Sequence, residues 1–244
     1  MFNYSEANLE SLNNDLDSTV EECKKLVENI KSSTNVNLNN FNELERTVYD
    51  VSGRVAFLGD VHPEEKIRDF GNEADSKIQN FALEIFNDDD LYKKYKEIDI
   101  SNADKESIEF HKDLGIDFKN AGHGLSDESR NRLIEIDKKL IELGIAFSEN
   151  IAKDKTELKF SEVELSGLSK NELNNLKKDG EKFIITMAYP DVNAISENCN
   201  VRNTREMVWK AFNNRALEDN IPILKEAVLL RNEKSKLFGF ETWA

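Results

Sequence analysis

The fold is decided first by residues 5–30, SEANLESLNNDLDSTVEECKKLVENI, whose apolar side chains recur every three or four residues. That spacing places them on one face of an α-helix. The apolar face consists of Leu9, Leu12, Leu16, Val20, Cys23, Val27 and Ile30. Ser5 followed by Glu6 predicts the start of this helix, and the polar residues 32–35 predict its end.

The same periodicity continues along the chain as far as residue 154. It predicts further helices over residues 41–59, 62–85, 91–95, 107–121 and 126–154. The last of these carries two apolar stripes, which indicates neighbours on two sides. With only 3 proline and 10 glycine residues in 244, few positions interrupt these helices.

The pattern changes after residue 154. Residues 156–160 are predicted to be extended, 169–178 helical, and 183–189 a strand that stops at Pro190, with helices again over 204–213 and 222–238. The predicted fold is therefore mainly α. Long antiparallel helices form a bundle-like N-terminal domain over 1–155, and a small β element with further helices follows over 156–244.

Charge and composition exclude several classes of partner. The 33 Lys and Arg residues against 48 Asp and Glu give 33 − 48 = −15, which argues against nucleic acid and anionic membranes. No apolar run reaches the 18 residues of a membrane span, and the N-terminus lacks a secretory signal pattern. We therefore expect a cytoplasmic protein in which Cys23 and Cys199 stay reduced.

The three histidines do not form a zinc-peptidase motif, which needs two histidines one helical turn apart with a glutamate between them. The residues four positions after His62, His111 and His123 are lysine, glycine and aspartate. His111 lies on an apolar stripe and is predicted to be half-buried and hydrogen-bonded to a neighbouring helix. His123 lies between two glycines and is predicted to be solvated or to cap a helix.

Other candidate sites also have simpler interpretations. The run Asp88-Asp89-Asp90 lacks the glycine and glutamate of a calcium loop, so an acidic helix N-terminus explains it better. Cys23 is predicted to be a small core residue. No nucleophile elbow or phosphate-binding loop occurs. The residues alone therefore predict no catalytic, cofactor-binding or metal-binding side chain in this chain.

Several segments, taken in order, nevertheless resemble one family. These are residues 183–190 (FIITMAYP), 199–205 (CNVRNTR), 211–215 (AFNNR) and 230–244 (LRNEKSKLFGFETWA). Upstream, Phe57-Leu58 before His62-Pro63, Gly122-His123-Gly124-Leu125 and residues 147–150 (FSEN) agree with them. Together they are similar to the thimet oligopeptidase family of zinc metallopeptidases, which includes neurolysin, saccharolysin and oligopeptidase A. The resemblance runs from about residue 5 to residue 244, with Phe238 and Phe240 replacing the commoner Leu and Tyr.

The resemblance implies a helical wall of a channel that admits short peptides, followed by the start of the catalytic region over 156–244. The family's zinc-binding helix and third ligand lie further along its sequence, so none of their roles transfers to a residue here. We therefore expect the N-terminal portion of a zinc oligopeptidase, truncated before the zinc motif and inactive alone. Zinc and short peptides belong to the full-length parent, and an exposed apolar face predicts self-association.

The alternative is a free-standing, non-catalytic helical module that binds proteins or peptides. A coiled-coil structural protein fits the stripes over 5–58 and 126–154 but not the strand and turns over 156–190.

Overall fold

Helices dominate the computed structural model, which describes residues 8–243 of the chain. They are α1 (Leu9–Ser32), α2 (Leu38–Val51), α3 (Leu58–Val61), α4 (Glu65–Phe86), α5 (Asp89–Lys96), α6 (Lys105–Asn120), α7 (Asp127–Ala152), α8 (Lys170–Asn175), α9 (Tyr189–Asn198), α10 (Arg202–Asn213) and α11 (Leu217–Leu237). Three short strands, β1 (Glu157–Phe160), β2 (Lys177–Asp179) and β3 (Lys182–Thr186), form one sheet. The mainly α prediction with a small β element is confirmed. None of the helices within residues 8–243 is long and apolar enough to cross a membrane.

The chain divides into two compact units. One contains the residues up to Ile145 together with those from Val228 onward, and the other is Ala146–Ala227. Helices α7 and α11 therefore each contribute residues to both units. The domain boundary near residue 155, where the sequence pattern changes, remains a prediction.

The buried face of α1 confirms the apolar spacing from which it was predicted. Leu12, Leu16, Cys23 and Ile30 are each at most 1% exposed. The helix begins after Asn8, whose side chain accepts from the Ser11 amide at 3.0 Å while the Ser11 hydroxyl accepts from the Asn8 amide. This reciprocal pair satisfies two amides at the helix end. The predicted start at Ser5 lies outside the described residues.

The single helix predicted over 41–59 is divided in the structure. It consists of α2, a π-helical segment at Ser52–Ala56, and the short helix α3. The wider turn keeps Val51, Val55 and Leu58 buried although the helix is interrupted. Next to it, Gly59 in α3 lies against Gly71 in α4 so closely that a Cβ on Gly71 would overlap the Gly59 backbone nitrogen. Two glycines therefore permit this contact between helices.

The second unit contains the antiparallel sheet, in the order β1-β3-β2. Phe160 of β1 pairs with Phe183 of β3, and both side chains are buried. The helix predicted over 169–178 ends at Asn175, and the chain then forms β2. The strand predicted over 183–189 ends at Thr186, because Pro190 occupies the first turn of α9. Sequence reasoning missed α9, since proline both stops strands and starts helices.

Two further boundaries differ from the predictions. Helix α4 begins at Glu65 and not at residue 62 as predicted, so Pro63 precedes it. Helix α11 begins at Leu217 and contains Pro222, whereas the predicted helix begins at Pro222. Pro63 lies before its helix, whereas Pro222 is the sixth residue of α11, where proline removes one hydrogen bond of the helix.

Candidate functional site

His62 lies before α4, whereas His111 and His123 each stack on a tyrosine of α5. The ring Nδ1 of His62 accepts from the Glu64 amide at 3.1 Å, and the ring of His111 stacks on that of Tyr95 with 4.6 Å between centroids. Among residues 8–243 no group of three or more His, Cys, Asp or Glu side chains is arranged to hold a metal ion. The described residues therefore do not fit a catalytic zinc, and we derive no metal-dependent step from them.

The side chain of His123 is buried, so it is not solvated, but the predicted alternative of a helix cap is confirmed, because the ring contacts the carbonyl of Phe86 at the C-terminus of α4. Its side chain is 3% exposed, and its ring stacks on Tyr92 at 4.2 Å. The Nε2 atom lies 2.9 Å from the carbonyl oxygen of Phe86. Burial lowers the pKa of His123, so the neutral ring is favoured. The two flanking glycines have positive φ, which turns the loop so that the ring enters the core.

The acidic run and Cys23 have the structural roles that were predicted. The Asp88 carboxylate accepts from the amides of Asp90 at 2.8 Å and Leu91 at 3.0 Å, capping α5. Cys23 is 1% exposed, and burial raises the pKa of its thiol to about 11. Because the thiolate is the reactive form, this thiol is chemically quiet.

A groove in the first unit is the strongest candidate for a binding site. One face each of α2, α4 and α6, with Ser52 between α2 and α3, encloses a cavity of about 240 Å³. The lining positions recur every three or four residues along each helix, so they form continuous walls. Its apolar lining comprises Phe41, Leu44, Val48, Ile78, Ala82, Ile85, Phe86, Leu114 and Phe118.

Each of the three helices also contributes one carboxyl group to this groove. They are Glu45 from α2, Asp75 from α4 and Asp117 from α6. Asp75 accepts from the Gln79 side-chain amide at 2.7 Å, and no ion pair to Glu45, Asp75 or Asp117 occurs within residues 8–243. None of the groove's described lining residues is Lys, Arg or His. The groove is therefore apolar at its base and acidic on every wall.

The electrostatics of these carboxyl groups reflect their crowding and burial. Burial is the main cause that raises the pKa of Glu45 to about 7, and the charges of Asp117 and Asp113 raise it further. Burial followed by the charge of Asp113 raises the pKa of Asp117. Burial also raises the pKa of Asp75, against the opposing hydrogen bond from Gln79. Negative charge in the groove thus lacks compensation by the protein itself.

The groove opens into a second, wider cavity of about 520 Å³. Tyr49 lines both cavities and is 75% exposed, while Asp117 also borders both. The second cavity has one basic lining residue among those described, Lys234, whose ammonium group lies 2.5 Å from the Asp137 carboxylate. That cation is already paired, so it does not neutralise the acids of the groove.

The second unit contains a cavity of a different kind, about 260 Å³ and mostly apolar. Asn220 is 5% exposed there, donates to the carbonyl of Phe147 at 3.0 Å and accepts from the Asn150 side chain at 2.9 Å. Its polar atoms are thus satisfied inside the unit. Tyr189 and Trp209, both more than 60% exposed, lie elsewhere on this unit.

Sequence reasoning did not identify the groove carboxylates. Glu45, Asp75 and Asp117 directly follow or precede buried residues of their helices, Leu44, Ala74 and Phe118. That position at the edge of an apolar stripe is the one available signal. It is shared by other acids among the 48 in this chain, so it does not distinguish a groove from a solvated face.

Comparison with known proteins gives relatives of one kind. The chain is 33% identical to the thimet-like oligopeptidase of Dictyostelium discoideum over 208 residues, which is 80% of this chain and 30% of that protein. It is 26% identical to oligopeptidase A of Escherichia coli over 224 residues, covering 81% of this chain and 32% of the relative. Saccharolysin of Saccharomyces cerevisiae is 24% identical over 217 residues, covering 84% and 30%. No protein-family model matches the chain. The chain thus spans about a third of the length of the relatives it matches.

Proposed function

Since the chain belongs to the family of thimet oligopeptidase, oligopeptidase A and saccharolysin, we propose that it forms one wall of the peptide channel of a zinc-dependent oligopeptidase. In this proposal the wall binds and orients short peptides and is not catalytic by itself. The zinc ligands and the general base belong to polypeptide other than these 244 residues. When bound there, zinc would polarise the scissile carbonyl and activate water.

The observation that carries the proposal is the groove of α2, α4 and α6 within a chain homologous to oligopeptidases. A peptide wall needs apolar surface for side chains and a few polar groups that select among them. The groove offers both, with an aromatic base and one carboxyl group from each helix. Its exposed Tyr49 adds a large amphipathic side chain at the mouth, a residue type enriched at binding surfaces.

The contacts of the three histidines also agree with a wall that is separate from the catalytic centre. His62 and His123 are engaged with the backbone, and His111 stacks on an aromatic ring. A metal ligand needs a free imidazole nitrogen directed at a shared point with other ligands. The contacts of these three side chains therefore favour a structural role for them in the proposed channel wall.

A chimeric enzyme tests the proposal most directly. The matched segment of Escherichia coli oligopeptidase A is replaced by this chain, and hydrolysis of an internally quenched peptide is followed by fluorescence. We expect chelator-sensitive hydrolysis by the chimera and none by the 244-residue chain alone, with or without added zinc salt. Chelator-sensitive hydrolysis by the chain alone would refute the non-catalytic assignment.

A second measurement uses the chain itself and does not depend on the junctions of the chimera. A short peptide carrying a photoreactive benzophenone is cross-linked to it, and the attachment site is mapped by mass spectrometry. Attachment to residues of α2, α4 or α6 supports the wall. Attachment scattered over both units, with no competition by unlabelled peptide, would count against the channel wall. That result would indicate non-specific binding of the peptide to the protein surface.

A further inference from the structure

The groove of α2, α4 and α6 has a chemistry that selects among peptides. We infer that it binds a basic side chain, lysine or arginine, of a peptide whose neighbouring residue is apolar. This inference rests on the proposed function and specifies its substrate class. The occupant's ammonium or guanidinium group lies among the carboxyl groups of Glu45, Asp75 and Asp117, and its methylene stem lies on the apolar base.

The size of the groove favours a side chain over a whole ligand. Its volume of about 240 Å³ is below the roughly 300–1,000 Å³ of most small-molecule pockets. The continuing cavity of about 520 Å³ provides room for the adjoining residues of an extended peptide. A long side chain can therefore enter the groove while the peptide backbone stays in the wider, more open part.

The lining of the groove matches both parts of a basic side chain. Lysine and arginine have apolar stems and charged heads, and they place stems on apolar surface when the head finds a partner. The groove base includes the partly exposed ring of Phe86, which is in edge contact with the buried ring of Phe118 at 5.4 Å; the ring of Phe41, also a lining residue, is buried. An aromatic base also suits a cation by its ring electrons.

Charge complementarity determines the sign of the occupant. Glu45, Asp113 and Asp117 repel one another, and no protein cation lines the groove among the described residues. A cation entering the groove relieves this repulsion, whereas an acidic side chain adds to it. The groove thus disfavours an acidic side chain and favours a basic one.

An inorganic cation fits less well than a peptide. Calcium takes six to eight oxygen ligands, and magnesium requires near-octahedral oxygen coordination. Here three carboxyl groups come from three helices around an apolar base, and within residues 8–243 they form no metal-binding group. The apolar area has no role in binding a bare ion, but it has one in binding a lysine or arginine stem.

The test uses the full chain and three fluorescein-labelled nonapeptides of glycine and serine with a central Leu-Xaa-Leu, where Xaa is Lys, Gln or Glu. Anisotropy titrations at low salt give the affinities. We expect the Lys peptide to bind about five- to tenfold more tightly than the Gln peptide, and the Glu peptide most weakly. Raising the salt to about 0.5 M should reduce the preference, because mobile ions screen exposed charge.

Two groove variants and one control locate the effect. Glu45→Gln and Asp117→Asn should each bring the Lys and Gln affinities within about twofold of one another. Glu43→Gln changes an exposed acid on the same helix outside the groove and should leave the preference intact. Both groove substitutions remove mutual repulsion, so unfolding is not expected to explain a loss.

The outcomes separate this inference from the proposed function. Equal affinity for the three peptides, or an equal loss in the Glu43→Gln control, would overturn the basic-residue inference while a channel wall remained supported. Hydrolysis by the chimera is measured independently of the groove. If no peptide binds at any charge, the inference is overturned, and the function then stands or falls with the chimera alone.

Discussion

Replacing Glu45 by glutamine is the most informative single change to the groove. The side chain is half-buried, has no described ion-pair partner, and feels the charges of Asp113 and Asp117. Glutamine keeps its length and most of its shape but carries no charge. The substitution therefore isolates the free-energy cost of holding a carboxylate at this position.

The magnitude follows from the difference between the folded and unfolded pKa of Glu45. The folded pKa is raised from 4.5 to about 7, so this residue favours the folded state below pH 4.5 and loses that contribution as pH rises through 7. At pH 8 the ionised side chain costs roughly 3 kcal/mol, and at pH 5 less than about 1 kcal/mol. Glu45→Gln should therefore stabilise the protein at pH 8 by up to roughly that amount, and only slightly at pH 5.

The assay is urea unfolding followed by circular dichroism at pH 5 and pH 8. It compares wild type, Glu45→Gln and the control Glu43→Gln, which changes an exposed acid on the same helix. His123, whose pKa is lowered by burial, destabilises the fold as pH falls below 6.5, the opposite direction. Because it is present in all three proteins, its effect cancels in the difference.

A stability gain by Glu45→Gln that is equal at both pH values would refute the reasoning, since a change in packing alone has no pH dependence. A gain of the same size in Glu43→Gln would also refute it. That result would assign the effect to the net charge of −15 and not to the groove.

Three further predictions test packing in the two units. Gly71→Ala should destabilise the fold in thermal unfolding, because its methyl group would overlap the backbone of α3. The control Gly144→Ala has open space around its Cβ position and should stabilise the fold by up to about 1 kcal/mol. Equal effects of the two substitutions on stability would argue against the glycine contact. Asn220→Ala should lower the free energy of unfolding in urea by about 1–3 kcal/mol, because it leaves the Asn150 side chain and the Phe147 carbonyl without their partner. The control Asn213→Ala, at an exposed position, should lower it by less than about 0.5 kcal/mol. His123→Ala should lower the free energy of unfolding by about 2–4 kcal/mol above pH 7, because a ring stack and a hydrogen bond are lost. The variant should also lose less stability than wild type between pH 6.5 and 5. The same loss of stability in both proteins over this pH range would contradict the burial of a neutral ring.

Much of the helical framework was predictable because its signal is local. The apolar positions of α1 predict a face whose Leu12, Leu16, Cys23 and Ile30 are buried in the structure. The failures occur where one residue type serves two local structures. Pro190 predicts the end of a strand, but β3 ends at Thr186 and Pro190 lies in the first turn of α9. The two glycines around His123 are compatible with either a solvated side chain or a helix cap, and only the structure shows the cap.

The sequence alone determined the helical class and the small sheet, since each depends on residues close together in the chain. It also determined the family, which depends on the order of motifs, and the lack of a zinc-binding helix motif among these 244 residues. Tertiary structure alone decided which of the 48 acids matter. Glu45, Asp75 and Asp117 are separated by 30 and 42 residues in sequence, from 75 − 45 and 117 − 75. Only the packing of three helices brings them to one groove, where burial and neighbouring carboxylates together raise their pKa values.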